Sequence, residues 1–151
     1  MAKFIYKMQS LLNIKEKLEE QEKTAYGLAK AALNEEETKL AEMIAKKNKY
    51  IEEKRVEMSA AIHVRELTNL EYAIKSMEIK IEEQIFVVKK AEKAVILAQA
   101  RLENAMKERK IQEKLKEHAF EQFRLEEEAA DQQEINELVT FRFGKAKERE
   151  E

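Results

Sequence analysis

Cysteine, proline and tryptophan are absent from this 151-residue chain, and glycine occurs only twice. With no Pro and two Gly, tight turns cannot be made in quantity, which argues against a sheet protein. Without Cys, disulfides and thiolate metal or redox sites are excluded, and a reducing compartment fits. Imidazoles are scarce: only His63 and His118, far apart in the chain. No apolar run approaches the length of about 18 residues that a membrane span needs, so no membrane insertion is expected. The opening Met-Ala-Lys-Phe-Ile-Tyr-Lys lacks the apolar centre of a secretory signal. Charge of one sign is missing too. A net charge of −2 gives no general pull toward nucleic acid. There is no Gly-rich phosphate loop. Adjacent carboxylates such as Glu126, Glu127 and Glu128 have no cleft around them. The expectation is a protein that is not an enzyme and holds no cofactor or metal.

What the chain does contain is helix. Charged residues make up 40% of it and hydrophobic residues 44%. Regular apolar spacing argues against disorder, despite the charge. From Leu67 to Ala105 the residues Leu67, Leu70, Ile74, Met77, Ile81, Gln84, Val88, Ala91, Val95, Ala98, Leu102 and Ala105 alternate in steps of three and four. Only Gln84 breaks the apolar series. This is a heptad repeat, and a helix that carries it needs a facing stripe.

Helix one is the candidate partner. Phe4, Leu11, Leu18, Ala25 and Ala32 recur at steps of seven, with Met8, Ile14 and Leu28 beside them. Gly27 inside this stretch is either tolerated or marks close approach of a partner backbone. Around Asn34–Thr38 the stripe lapses, then resumes as Leu40, Ile44, Ile51, Met58 and Ile62, about one residue out of phase. This reads as a stutter in a continuous helix, because no Gly or Pro marks a break. The turn is expected at about 66–69, where Thr68, Asn69 and Glu71 resemble a capping box.

The expected fold is therefore all-α, two long helices in an antiparallel coiled-coil hairpin forming one domain. Helix one is placed at about 4–66, helix two at about 69–143, and a charged tail at 144–151 after Gly144 stops the helix. Folding back at the turn sets residue x opposite about 135 minus x. Ile51 then faces Gln84, Ile44 faces Ala91 and Phe4 faces about Asp131, leaving Gln132–Phe143 to overhang. Small residues at Ala91, Ala94, Ala98 and Ala105 face Ala25, Ala29, Ala31 and Ala32, predicting close helix approach there. After Ala105 the phase is expected to shift to Ile111, Leu115, Ala119 and Phe123.

Two features point outward. Nine basic residues stand against four acidic between Lys89 and Lys116, and seven acidic against Arg124 between Ala119 and Glu137. Either these are solvated faces or the two regions meet partners of different charge. At the end bearing both termini, Phe4, Ile5, Tyr6 and Met8 are expected near Phe120, Phe123, Phe141 and Phe143. Such a cluster either plugs the open end or docks a partner.

The opening Phe4-x-Tyr6-x-Met8-Gln9-x-Leu11-Leu12, followed by Lys15 and Lys17, resembles the start of the flagellar export protein FliJ family. The run Asp131-Gln132-Gln133-Glu134-Ile135-Asn136-Glu137-Leu138 and the pair Arg142-Phe143 also look like that family. The resemblance spans essentially the whole chain. It implies a coiled-coil stalk of the type III export apparatus. Such a stalk binds the hexameric flagellar export ATPase and promotes its assembly and activity. It also touches the cytoplasmic domain of the membrane export gate and handles export chaperones. It further implies a cytoplasmic protein, peripheral at the inner membrane. Carried onto this chain, the ATPase contact falls on Phe4, Tyr6, Met8, Leu11, Ile135, Leu138, Arg142 and Phe143. The gate contact falls on Tyr72, Ile74 and Met77, although Tyr72 precedes Met77 by a longer step than the family's aromatic precedes its Leu. The other reading is a generic coiled-coil tether or the central rotor stalk of a rotary proton-pumping ATPase.

Overall fold

The computed structural model describes residues 2–61 and 63–150. It is an all-α antiparallel hairpin of two helices, α1 (Gln9–Ser59) and α2 (Val64–Glu150). Two compact units divide it, Met1–Glu19 with Ala105–Glu151 and Glu20–Asn104.

α1 begins later than the apolar pattern suggests. Residues 2–6 are not helical, and the Met8 carbonyl accepts the amides of Leu11 and Leu12, both at 3.1 Å. The break between helices also falls earlier than 66–69. Ser59 closes α1 with a hydroxyl bond to the Val56 carbonyl at 2.9 Å. α2 starts at Val64, with the His63 carbonyl accepting the Leu67 amide at 3.0 Å. Glu66 lies in the first turn, where a negative charge suits the helix dipole. Thr68 is not a cap, because its hydroxyl donates back to the Val64 carbonyl at 2.8 Å inside the helix. Ile62, placed in the stripe above, lies outside the described residues. Nor does Gly144 end α2. It keeps a helical backbone, no residue there turning to positive φ, and α2 runs on to Glu150.

In the unit Glu20–Asn104 the α2 heptad is buried as its spacing predicts, with Met77, Gln84, Val88 and Ala98 the most enclosed. The surprise is on α1. Its covered positions are Glu22, Tyr26, Ala29, Leu33, Glu36, Leu40, Met43, Lys47, Tyr50, Lys54 and Glu57, stepping by three and four without interruption. There is no stutter. Leu28, Ile44, Ile51 and Met58 lie on the flanks of this seam and are exposed. The long polar side chains lay their stems over α2 and send their heads to its rim. Lys47 reaches Glu78 at 3.5 Å and Lys54 reaches Glu71 at 3.3 Å. Gln84, the polar member of the heptad, donates to the Glu36 carboxylate at 2.6 Å and to the Glu36 carbonyl at 2.9 Å. A buried amide satisfied by one partner penalises any slipped register.

These pairs place Gln84 opposite Glu36 rather than Ile51, and Lys47 and Lys54 beside Glu78 and Glu71, so the expected register is off by about ten to fifteen residues. The reason is the earlier break, together with a seam that on α1 mixes charged residues with apolar ones. The alanine-to-alanine approach is only half realised. Ala91 and Ala98 line the seam, but Ala25, Ala31, Ala32 and Ala94 are exposed. Gly27 faces open space, with nothing within 4 Å of a Cβ built on it, so it marks no close contact.

In the unit Met1–Glu19 with Ala105–Glu151, Leu12 is the most enclosed apolar residue. The α2 heptad continues in phase through Ala105, Arg109, Gln112, Lys116, Ala119 and Phe123. The expected shift to Ile111 and Leu115 does not occur, and both are exposed. Charged residues hold this part of the seam. Lys15 pairs with Glu108 at 2.9 Å, and the buried Glu19 pairs with Arg109, which also reaches Glu113 at 2.7 Å. The Glu113 hydrogen bond first, and the Glu19 pair after it, push the Arg109 guanidinium above its ordinary pKa.

Candidate docking surfaces

Two helices in a hairpin present open grooves rather than enclosed cavities, so the informative groups are apolar side chains without cover.

The first surface lies in the unit that contains both chain ends. Phe4 packs edge-on against Phe120, with ring centroids 5.2 Å apart at 79°, and tilted against Phe123 at 5.4 Å. Edge-to-face contacts of this kind are favourable for the ring quadrupoles. Tyr6 and Leu11 are half-buried, whereas Ile5 and Met8 are exposed. Phe4 therefore meets Phe120 and Phe123 instead of Asp131, and the overhang of α2 is longer than expected. Every residue from Glu128 to Glu150 is exposed. Along it Ile135, Leu138, Val139, Phe141 and Phe143 show between 47% and 73% of their surface. Lys145 holds its ammonium 5.0 Å from the centre of the Phe141 ring. The expected set of eight contact residues thus separates into two groups. Phe4 packs against Phe120 and Phe123, Tyr6 and Leu11 are half-buried, and Met8 is exposed. Ile135, Leu138, Arg142 and Phe143 form a helix face open to solvent. Phe141 and Phe143 do not join the Phe4 cluster.

The second surface lies on α2 in the unit Glu20–Asn104. Of the three residues expected there, only Tyr72 projects outward, at 78% exposure. Ile74 lies half-buried in the seam, and Met77 is 6% exposed against α1. Neither can be offered to a partner while the hairpin stays zipped. The residues that share the Tyr72 face are Ile79 and Phe86, one heptad and two heptads further on, the latter 76% exposed. Sequence reasoning missed them because it followed the seam. The signal was a Tyr, an Ile and a Phe at steps of seven on the face that a coiled coil normally leaves polar.

Among the described residues one group of potential metal ligands converges, Glu57, His63 and Glu66, with donor atoms within 4.8 Å of one another. His63 and Glu66 are exposed. The ring Nδ1 and the Glu57 carboxylate share a hydrogen bond at 3.0 Å, which ties the connection to the end of α1. Among the described residues no helix is long and apolar enough to cross a membrane.

An all-α hairpin with exposed apolar residues outside its seam defines the class, a two-helix coiled-coil protein. The chain belongs to the flagellar FliJ protein family, whose model matches residues 4–148. Its members are structural components of the flagellar export apparatus. Neither curated proteins nor solved structures gave a match to the chain.

Proposed function

We propose that this chain is the stalk of the flagellar export apparatus and works at the cytoplasmic face of the inner membrane. Its terminal surface engages the hexameric export ATPase and promotes ring assembly and turnover. The observation that carries this reading is the uncovered helix face from Ile135 to Phe143, an apolar row that no α1 residue reaches. A single asymmetric hairpin cannot satisfy six equivalent sites in a ring at once. Its contacts must be few and able to switch, which suits a short apolar row flanked by charge. Leu138 and Phe143 supply the apolar contacts. Arg142 and the acidic residues Glu126–Glu137 supply polar ones, screened over about 10 Å at 0.1 M salt. Phe4, Tyr6 and Leu11 hold the base of this surface in place, and Met8 borders it.

The test is the double variant Leu138→Ser, Phe143→Ser, with helix content checked by circular dichroism and stimulation of the export ATPase measured. Reduced stimulation is expected. Full stimulation by the well-folded variant would overturn the reading.

The outer row of α2 supports a second contact, with the cytoplasmic domain of the export gate, centred on Tyr72, Ile79 and Phe86. Export chaperones are handled on the same apparatus. Tyr72→Ala with Phe86→Ala should weaken gate capture and leave ATPase stimulation intact. A gate-free rotor stalk or a tether would show no gate capture to lose.

A further inference from the structure

We propose that residues 128–150 of α2 also pair with a second copy of this chain, antiparallel, about a two-fold axis near Leu138 and Val139. Three observations lead there, and none depends on the ATPase reading.

The first is that the hairpin cannot cover this face itself. The intramolecular seam ends at Phe123 and Glu127, its last half-buried positions. Continued at the same spacing, it falls on Ala130, Gln133 and Glu137, which carry almost no apolar surface. Ile135 and Leu138 lie on a different face of the helix. Ile135 and Leu138 are 52% and 55% exposed.

The second is the spacing on that face. Residues three and four apart are neighbours on a helix. One face reads acidic at Glu128 and Asp131, apolar at Ile135 and Leu138, and basic at Arg142 and Arg149. With Lys145 between Arg142 and Arg149, the steps are three and four throughout, the spacing of a helix that pairs with another helix.

The third is charge. From Glu126 to Glu137 there are six acidic residues and no basic one, and from Leu138 to Lys147 three basic residues and no acidic one. A two-fold contact uses the same patch twice, so the patch must complement itself when reversed. An acid–apolar–base order does so. Reversal lays Glu128 of one copy near Arg149 of the other and brings the two Leu138 side chains together. Parallel pairing would set acid on acid. The paired face is small, so the association is weak and concentration-dependent. It covers Ile135 and Leu138, so a paired copy cannot present them elsewhere.

The absence of native Cys makes single cysteines specific reporters in the full chain. Val139→Cys lies beside the two-fold axis, while two copies of Ala129→Cys lie about 30 Å apart in the antiparallel pair. Mild oxidation at high micromolar concentration should give covalent dimers of the first and none of the second. Equal crosslinking of both, or of neither, would overturn the proposal. Sedimentation supplies an independent arm. Arg149→Glu should weaken self-association several-fold, and Glu128→Arg added to it should restore it. A single variant that associates as well as the parent, or a double variant that stays monomeric, would also overturn it.

Discussion

Val87 and Val88 are adjacent on α2, identical in chemistry and in the same unit, yet only one is in the seam. Val88 is 7% exposed and Val87 is 42% exposed. Val→Ala removes two carbons, worth about 0.8 kcal/mol each when fully buried. Scaled by coverage, the transfer loss is about 1.5 kcal/mol at Val88 and about 0.9 kcal/mol at Val87. Ala is the better helix former, by about 0.5 kcal/mol at either site. A seam between two helices can partly collapse, so the cavity penalty at Val88 stays near the low end, adding under about 1 kcal/mol. The net expectation is a loss of about 1–2 kcal/mol for Val88→Ala and under about 0.5 kcal/mol for Val87→Ala. In a thermal melt of a chain this size, Val88→Ala should lower Tm by about 3–6 °C and Val87→Ala by no more than about 2 °C. Urea unfolding followed by helix signal checks the free energies directly. Equal losses, or a larger loss for Val87→Ala, would place the seam on another face of α2 and refute the packing described.

Register and pH offer two further tests. Cysteines replacing Lys47 and Glu78 should be joined within one chain by a short bismaleimide, because those side chains meet at 3.5 Å. A pair replacing Ile44 and Ala91 should not, since the register keeps them about 16 Å apart along the helices; efficient joining of the latter pair would restore the longer register. The Glu36 carboxyl is held below its usual 4.5, chiefly by the Gln84 amide and then by Lys39. A lowered folded pKa gives a contribution present above that usual value and lost as pH falls through the lowered one. Stability measured from neutral pH downward should therefore fall less steeply in Gln84→Leu than in the parent, by a small margin because the carboxylate is screened by solvent. Identical acid profiles would mean that the Gln84 bond contributes nothing to the register.

Local chemistry determined which residues could be helix and which helix would drive the pairing. No Pro, two Gly and an unbroken heptad from Leu67 to Ala105 were enough for an α-helical hairpin and for the buried face of α2. They were enough because apolar spacing reports burial wherever the buried side chains are apolar. The face of α1 was not legible for the converse reason. Its seam interleaves Leu33, Leu40 and Met43 with Glu22, Lys47, Lys54 and similar residues, which bury methylene stems and keep charged heads at the rim, so a hydrophobicity pattern is drawn to the flanks instead. The turn was misplaced because Thr68 and Asn69 have capping chemistry in isolation, while α2 starts at Val64 and leaves them inside it. Register followed from that error and from a pairing, Gln84 with Glu36, that no single-helix pattern contains. The uncovered row from Ile135 to Phe143 was visible as apolar residues without an assigned partner. Met77, expected at a docking surface, lies in the seam, because only the packed hairpin decides which side of α2 faces α1 and which side, with Tyr72, Ile79 and Phe86, faces outward.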